Sequence, residues 1–140
     1  MHHVVFLRRV QELGALESRE GAERAVRATF ETLAERVSQG VTTHLAAQLP
    51  RELAQYLLRR GPRVQQLSVD EFWQHVGHRE GVEPAEAIKH SKVVFQVLGE
   101  AVSPGEMDQF RAALPQGLRV QLGFEPAATR VRGGGAEARA

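Results

Sequence analysis

The chain has 140 residues, contains no cysteine, and carries a formal net charge of +1 at pH 7. The absence of cysteine excludes disulfide scaffolds, thiolate catalysis and thiolate-bound zinc sites. A chain of this length buries roughly 68–70% of the surface that its unfolded form exposes, so it can fold without a structural metal. No apolar run approaches the roughly 18 residues of a membrane span, and the N-terminal stretch lacks the cleavage site of a signal peptide. We therefore expect a soluble cytoplasmic protein.

Charge is distributed unevenly along the chain. Residues 1–65 carry 10 basic and 7 acidic side chains, a net +3, whereas residues 66–122 carry 5 basic and 8 acidic ones, a net −3. Residues 123–140 add 3 basic and 2 acidic side chains, a net +1. The opposite signs favour contact between the two halves, or head-to-tail association, over a uniform nucleic-acid surface.

Two amphipathic helices are predicted at the start of the chain. The first carries Phe6, Val10 and Leu13 on one face and is expected to end at Gly14. Ser18 is the predicted N-cap of the second, in which apolar residues recur every three or four positions. This apolar stripe consists of Ala22, Val26, Phe30, Leu33 and Val37.

The pattern Leu/Phe-x-Ala-x-Leu-Pro occurs twice, as LAAQLP at residues 45–50 and as FRAALP at residues 110–115. Proline disfavours helical geometry in the residue before it, so Leu49 and Leu114 are predicted to end a third helix. The same prolines suit the first turn of a fourth helix. Each Leu-Pro pair is therefore predicted to form a corner between two helices, with the leucine in the core.

These corners belong to an internal repeat with an offset of 65 residues, or 66 before the first loop. The agreement is confined almost entirely to apolar, glycine and proline positions, which is typical of a duplicated structural unit. Matching pairs include Phe6 with Phe72, Val10 with Val76, Ala22 with Ala87, Phe30 with Phe95, Leu33 with Leu98, Gly40 with Gly105, and Leu45 with Phe110.

Helix-start signals recur in the second unit. Ser68 and Glu71 have the spacing of a capping box, and so do Ser103 and Glu106. Pro84 stands at a first helical position, where its missing N–H is not needed. Each unit is thus predicted to contain four helices.

The predicted fold class is all-α, without a β-sheet. A duplicated four-helix unit is expected to pack as one pseudo-twofold helical bundle. The first repeat covers residues 1–61, a short linker covers 62–67, and the second repeat covers 68–124. Glycine-rich and alanine-rich residues 125–140 are predicted to form a disordered tail.

The repeated Phe-x-x-x-Val, the long amphipathic helix, Ser-x-Gly and the Leu-Pro corner together resemble a bacterial and archaeal family known as domain of unknown function 2267. The resemblance covers residues 4–124, and its most specific stretches are LAAQLPREL (45–53) and AVSPGEMDQFRAALP (101–115). It implies an all-helical protein, usually with two such repeats, and it supplies no catalytic residues because the family has no established activity. One departure is Gln116-Gly117 in place of Arg51-Glu52, so the last helix is expected to be the weaker one.

His75 and His78 are three residues apart on a predicted helix, a spacing that could direct two imidazoles toward a metal. Two ligands are too few for a site, and no carboxylate obviously completes the set. In the repeat these histidines align with Arg9 and Glu12, which face away from the apolar positions. We therefore expect exposed histidines, and we expect no metal and no cofactor.

Two further histidines do not mark a duplicated site. His44 aligns with Gln109, and His90 aligns with Ala25. The sequence also contains no Walker loop, dinucleotide-binding glycine fingerprint, nucleophile elbow or zinc-protease motif.

Carboxylate pairs lie at predicted helix starts, as Glu83 with Glu86 and Glu106 with Asp108. Acids at these positions complement the helix dipole, which is a structural role. We therefore do not expect acid–base catalysis from them.

Arg59, Arg60 and Arg63 form the densest basic cluster, which could hold nucleic-acid phosphates or an acidic partner. The alternative is a helix C-terminus stabilised by cations and followed by a solvated linker. Trp73, the only tryptophan, is a core residue in one interpretation and an anchor for a protein partner in the other.

Three functional hypotheses follow from these observations. The leading one is a non-catalytic protein-interaction or regulatory module that binds an unknown protein partner or self-associates. The second is a nucleic-acid-binding protein that uses Arg59, Arg60 and Arg63. The third is a metal-binding protein or enzyme that uses His75 and His78.

Overall fold

The computed structural model describes residues 1–59 and 66–125. All regular secondary structure in these two ranges is α-helical, so the predicted all-α class is confirmed. No helix within them is long and apolar enough to cross a bilayer. The helices are α1 (His3–Leu13), α2 (Arg19–Arg36), α3 (Gln39–Ala46), α4 (Arg51–Leu57), α5 (Val69–Glu80), α6 (Pro84–Ala101), α7 (Pro104–Ala113) and α8 (Gln116–Gln121).

The predicted boundaries of the first two helices are confirmed. Gly14 follows α1 as its C-cap, and its N–H donates to the Val10 carbonyl at 2.9 Å. The Ser18 hydroxyl accepts a hydrogen bond from the Gly21 N–H at 2.9 Å and so caps α2. Residues 62–65 of the predicted linker and residues 126–140 of the predicted tail lie outside the described residues.

The two predicted capping boxes differ in the structure. At α5 the box is complete, because Ser68 and Glu71 exchange hydrogen bonds of 2.9 and 3.1 Å. At α7 only half of it forms, with the Ser103 hydroxyl accepting from the Glu106 N–H at 3.2 Å. The Ser103 N–H donates instead to the Gln48 side chain at 2.7 Å. A residue between α3 and α4 therefore replaces the predicted partner and joins the two halves of the chain.

Both Leu-Pro corners lie between helices, with Leu49 and Leu114 buried. Their details differ from the prediction. Helix α3 ends at Ala46, because the chain tightens into a turn in which the Leu49 N–H donates to the Ala46 carbonyl at 3.0 Å. Pro50 and Pro115 are the N-caps of α4 and α8, one position before the predicted first turn.

The two 18-residue helices, α2 and α6, organise the core. They pack against each other, and each also packs against α1 and α5. Where they meet, the hydroxyls of Thr29 and Ser91 share a hydrogen bond of 2.8 Å, and both residues are completely buried. The remaining helices cover the flanks, with α4 on α2, α7 on α6, and α3 against both α4 and α7. The pseudo-twofold relation between the halves remains a prediction.

The turn between α5 and α6 passes directly against α5. An ideal Cβ placed on Gly77 would lie 2.7 Å from the Val82 carbonyl oxygen, closer than side-chain atoms approach. The Val82 N–H donates to the Gly77 carbonyl at 2.9 Å. Gly81 is the C-cap of α5 and has a left-handed backbone conformation, with φ 81°. Glycine at position 77 thus allows the turn to fold back, which places Glu80 next to α6.

We expect Gly77→Ala to lower the free energy of unfolding by about 1–3 kcal/mol, because the added methyl group forces the turn away from α5. Gly99→Ala is the matched control, since its Cβ would meet nothing nearer than the Met107 side chain at 3.9 Å. The free energy of unfolding of the control should rise by up to about 1 kcal/mol, because alanine has a higher helix propensity than glycine. Urea denaturation of both variants measures the difference, and a Gly77→Ala protein as stable as Gly99→Ala would contradict the close approach.

Candidate functional site

The arginine cluster is described only at Arg59. Its side chain is 65% exposed, and its Nε lies 3.1 Å from an oxygen of Glu31. Arg60 and Arg63 lie outside the described residues. The one described arginine of the predicted cluster is therefore paired with an acid of the same protein.

Trp73 lies in the core, with 2% of its surface exposed. Its ring packs edge-on against Phe72, with centroids 5.0 Å apart. The residue therefore offers no surface to a partner, which corrects its assignment as a binding residue. Its neighbours α2 and α6 pack against α5, where a large ring buries much apolar surface.

The two predicted histidines have different environments. His78 is exposed, whereas His75 is half buried and its Nδ1 lies 3.2 Å from an oxygen of Glu35. In the part of the chain that the structure describes, no three or more His, Asp or Glu side chains are placed to hold a metal ion. His75 belongs instead to a polar network between α2 and α5.

Arg79 is the centre of that network. Its guanidinium donates two hydrogen bonds to Glu35, at 2.9 and 2.8 Å, and a third to the Thr32 hydroxyl at 2.7 Å. The hydrogen bond from Arg79 lowers the pKa of Glu35, although burial acts in the opposite direction. A bidentate pair of this kind fixes the register of α5 on α2.

We expect Glu35→Gln to lower the free energy of unfolding by about 1–3 kcal/mol at neutral pH, because Arg79 loses a charged acceptor. The folded pKa of Glu35 is lowered, so its contribution is present above the ordinary value of 4.5 and is lost as the pH falls through the folded value. Urea denaturation across the acidic range should therefore show the two proteins converging as the pH falls. Asp108→Asn, at an exposed position without an ion pair among the described residues, is the control and should show no such convergence.

A second polar cluster was not predicted. Glu80, the last residue of α5, is 6% exposed, and His90 of α6 is 9% exposed. His90 Nδ1 and Glu80 Oε2 share a hydrogen bond, while His90 Nε2 lies 3.3 Å from an oxygen of Glu86. The other oxygen of Glu80, Oε1, is buried and has no hydrogen-bond partner among the described residues.

Two local signals could have identified this pair. Glu80 is an acid in the last turn of a helix, where the dipole disfavours negative charge. His90 lies three residues after Ala87 and four before Val94, so it occupies an apolar stripe. The alignment of the two repeats does not indicate this pair, because an alignment emphasises positions that both units share.

Burial raises the pKa of Glu80 above its ordinary value of 4.5, and the nearby charge of Glu86 raises it slightly. The hydrogen bond and charge of His90 oppose this shift, and so does the charge of Arg24. One carboxylate oxygen is therefore stabilised by an imidazole, while the other is buried and has no hydrogen-bond partner among the described residues.

A pocket of about 240 Å³ lies beside this pair. Its wall is formed by the α1–α2 turn, the first turns of α2, the end of α5 with the following turn, and His90 of α6. Arg24 lines it, is exposed, and makes no hydrogen bond or ion pair with any part of the chain that the structure describes. Polar groups of both halves thus meet in one concave site.

A pocket of about 270 Å³ lies between α3 and α7. Its polar lining includes His44, Glu106 and Gln109, which are all exposed or half buried. None of these side chains needs a ligand to complete its hydrogen bonding, since water reaches each of them. The pocket beside Glu80 is therefore the better candidate for a functional site.

We expect the difference in the free energy of unfolding between the wild type and Glu80→Gln to change with pH. The wild type should lose stability relative to the variant as the pH rises from acidic values. The folded pKa of Glu80 is raised, so its contribution is complete below 4.5 and is lost as the pH rises through the folded value. Groups that face Glu80 are His90 and Glu86 of α6, Arg24 of α2, and Glu17 of the α1–α2 turn.

Urea denaturation of both proteins from about pH 4 to pH 7 measures this difference. Glu83→Gln, at an exposed position on the same turn, is the control and should lack the trend. A wild type that gains stability over Glu80→Gln as the pH rises would show that the carboxylate is well solvated.

A family model described as "Uncharacterized conserved protein (DUF2267)" matches residues 3–120 of the chain. The resemblance drawn from the repeated motifs is thereby confirmed. No curated protein matches the sequence.

Proposed function

The chain belongs to the DUF2267 family, and we propose that it is a non-catalytic regulatory module that binds a small polar ligand in the pocket beside Glu80. The observation that supports this proposal is the buried Glu80 Oε1, which has no hydrogen-bond partner among the described residues. We also propose that the protein acts in the cytoplasm, because a chain without cysteine suits a reducing compartment.

An unpaired buried oxygen is energetically costly. Leaving a buried acceptor unsatisfied costs about 1–3 kcal/mol, and more when the group is charged. Most buried polar groups in proteins are paired, so an exception calls for a physical reason. A ligand that donates a hydrogen bond to Glu80 Oε1 would remove this cost, and the adjacent pocket provides the space for it.

A regulatory role follows from the position of the pocket. Its wall includes α2 of the first half and α5 and α6 of the second half. A ligand that contacts all three helices favours the arrangement in which they are packed together, in proportion to its affinity for that arrangement. The bound protein would then present a more rigid surface to a protein partner or to a second copy of the chain.

The two other functional hypotheses have less support. Arg59 is paired with Glu31, so part of its charge is already neutralised, and nucleic-acid binding is weakened as a proposal. His75 is held by Glu35 and lacks further ligands among the described residues, which weakens the metal hypothesis.

Gly21 offers a way to block the pocket without removing any polar group. It lies in the first turn of α2 and lines the pocket, and its added Cβ would stand 3.4 Å from the Ser18 hydroxyl and 3.7 Å from Arg24. Gly21→Leu therefore fills the pocket at a helical position. Gly105→Leu, in the first turn of α7 with open space around it, is the matched control.

We expect the wild type and Gly105→Leu to retain the same small molecule from a metabolite extract of the source organism, and Gly21→Leu to lose it. The proteins are incubated with the extract and separated by size exclusion, and the retained molecules are identified by mass spectrometry. Circular dichroism verifies that both variants are folded. The proposal fails when no molecule is enriched over a heat-denatured sample, or when Gly21→Leu retains it equally.

A further inference from the structure

We infer that the ligand of the pocket is a small zwitterion, an α-amino acid with a compact apolar side chain, held by Glu80 and Arg24. The inference rests on the proposed function and specifies its ligand. In this arrangement the ammonium group of the amino acid donates to Glu80 Oε1, and its carboxylate accepts from the guanidinium of Arg24.

Glu80 supplies the first contact. Its Oε2 is bonded to His90, whereas Oε1 has no hydrogen-bond partner in residues 1–59 or 66–125. An ionised carboxylate can only accept hydrogen bonds, so its natural partner is a donor, and a positively charged donor forms the stronger bond. A primary ammonium group meets both requirements.

Arg24 supplies the second contact. Its guanidinium has no ion pair in residues 1–59 or 66–125, in contrast to Arg9, Arg79 and Arg119, which are paired with acids. Arg24 also lies in the second turn of α2, near the positive end of the helix dipole. A planar guanidinium binds a carboxylate through two parallel hydrogen bonds.

Charges of both signs line the pocket, which favours a zwitterion over a simple ion. Glu17 and Glu80 would repel an anion, whereas Arg24 would repel a simple cation. A molecule with one group of each sign is attracted by both when its ammonium faces the acids and its carboxylate faces Arg24. Complementary charge of this kind selects the ligand and its orientation.

Size and apolar surface restrict the side chain of the ligand. Pockets for drug-sized molecules measure about 300–1,000 Å³. The pocket of about 240 Å³ therefore suits a smaller molecule. Leu16 and Val82 form part of its wall, so a compact apolar side chain such as that of valine matches the remaining space.

Ligand entry requires a side-chain movement, because Glu80 Oε1 has less than 1 Å² of accessible surface. Arg24 can make such a movement, since it is exposed and would break no ion pair with the described part of the chain. Its guanidinium folds back toward the first turn of α2, where Nη2 would lie 3.7 Å from a Cβ on Gly21. Movement of Arg24 would thus open the pocket and bring its charge onto the ligand carboxylate.

The test uses three probes that differ by one group. L-valine carries both charges, L-valinamide lacks the carboxylate, and isovaleric acid lacks the ammonium group. Each is titrated at neutral pH into the full ¹⁵N-labelled chain, and the amide signal of Gly21 reports binding. The wild type should bind L-valine at least about tenfold more tightly than either analogue, which corresponds to about 1.4 kcal/mol for each lost contact.

Two variants test whether Arg24 binds the ligand carboxylate and Glu80 binds the ligand ammonium group. Arg24→Gln should abolish the preference for L-valine over L-valinamide, and Glu80→Gln should abolish the preference for L-valine over isovaleric acid. Arg27→Gln, an exposed arginine of α2 that does not line the pocket, is the control and should keep both preferences. A loss of folding would weaken all three probes equally and would leave their ratios unchanged.

The inference is overturned when either analogue binds as tightly as L-valine, or when L-valine leaves the Gly21 signal unchanged at millimolar concentration. These results are distinct from failure of the proposed function. If the metabolite experiment still yields a ligand that Gly21→Leu loses, the pocket binds a small molecule of another class. If that experiment also yields none, both proposals are wrong.

Discussion

The packing of α2 against α6 is the constraint on which the rest of the structure depends. Both helices pack on α1 and on α5, so an error in their register would displace the flanking helices as well. The buried hydrogen bond between Thr29 and Ser91 makes that register specific. A shift of one helix by a turn would break this hydrogen bond, at a cost of about 0.5–1.5 kcal/mol. Apolar packing stabilises the crossing, and this polar pair selects one alignment.

The sequence was sufficient to predict the helices, because their signals are local. A stripe such as Val26, Phe30 and Leu33 depends only on helical periodicity, and Ser18 caps the helix that follows it. Predictions were wrong where distant residues compete for the same groups. The N–H of Ser103 binds Gln48, which is 55 residues away, and no local pattern contains that information.

The candidate site likewise depends on contacts between different helices. Glu80 and His90 are only ten residues apart, but their hydrogen bond requires the turn that Gly77 permits. Arg24 reaches the same pocket from the other half of the chain. Sequence periodicity could have placed His90 on a buried face, but it could not have supplied its partner. The packing of α5, α6 and α2 unites a buried acid, an imidazole and an arginine that has no ion pair in the described part of the chain.

The pocket also explains why a repeated sequence can form a single site. At the positions that match Glu80 and His90 the first unit has Gly14 and Ala25, which carry little or no side chain. The second unit therefore has polar groups at two positions where the first has none, and these groups line the pocket together with Glu17 and Arg24 of the first half. In the proposed function, recognition of a polar ligand would thus depend on positions at which the two predicted units differ.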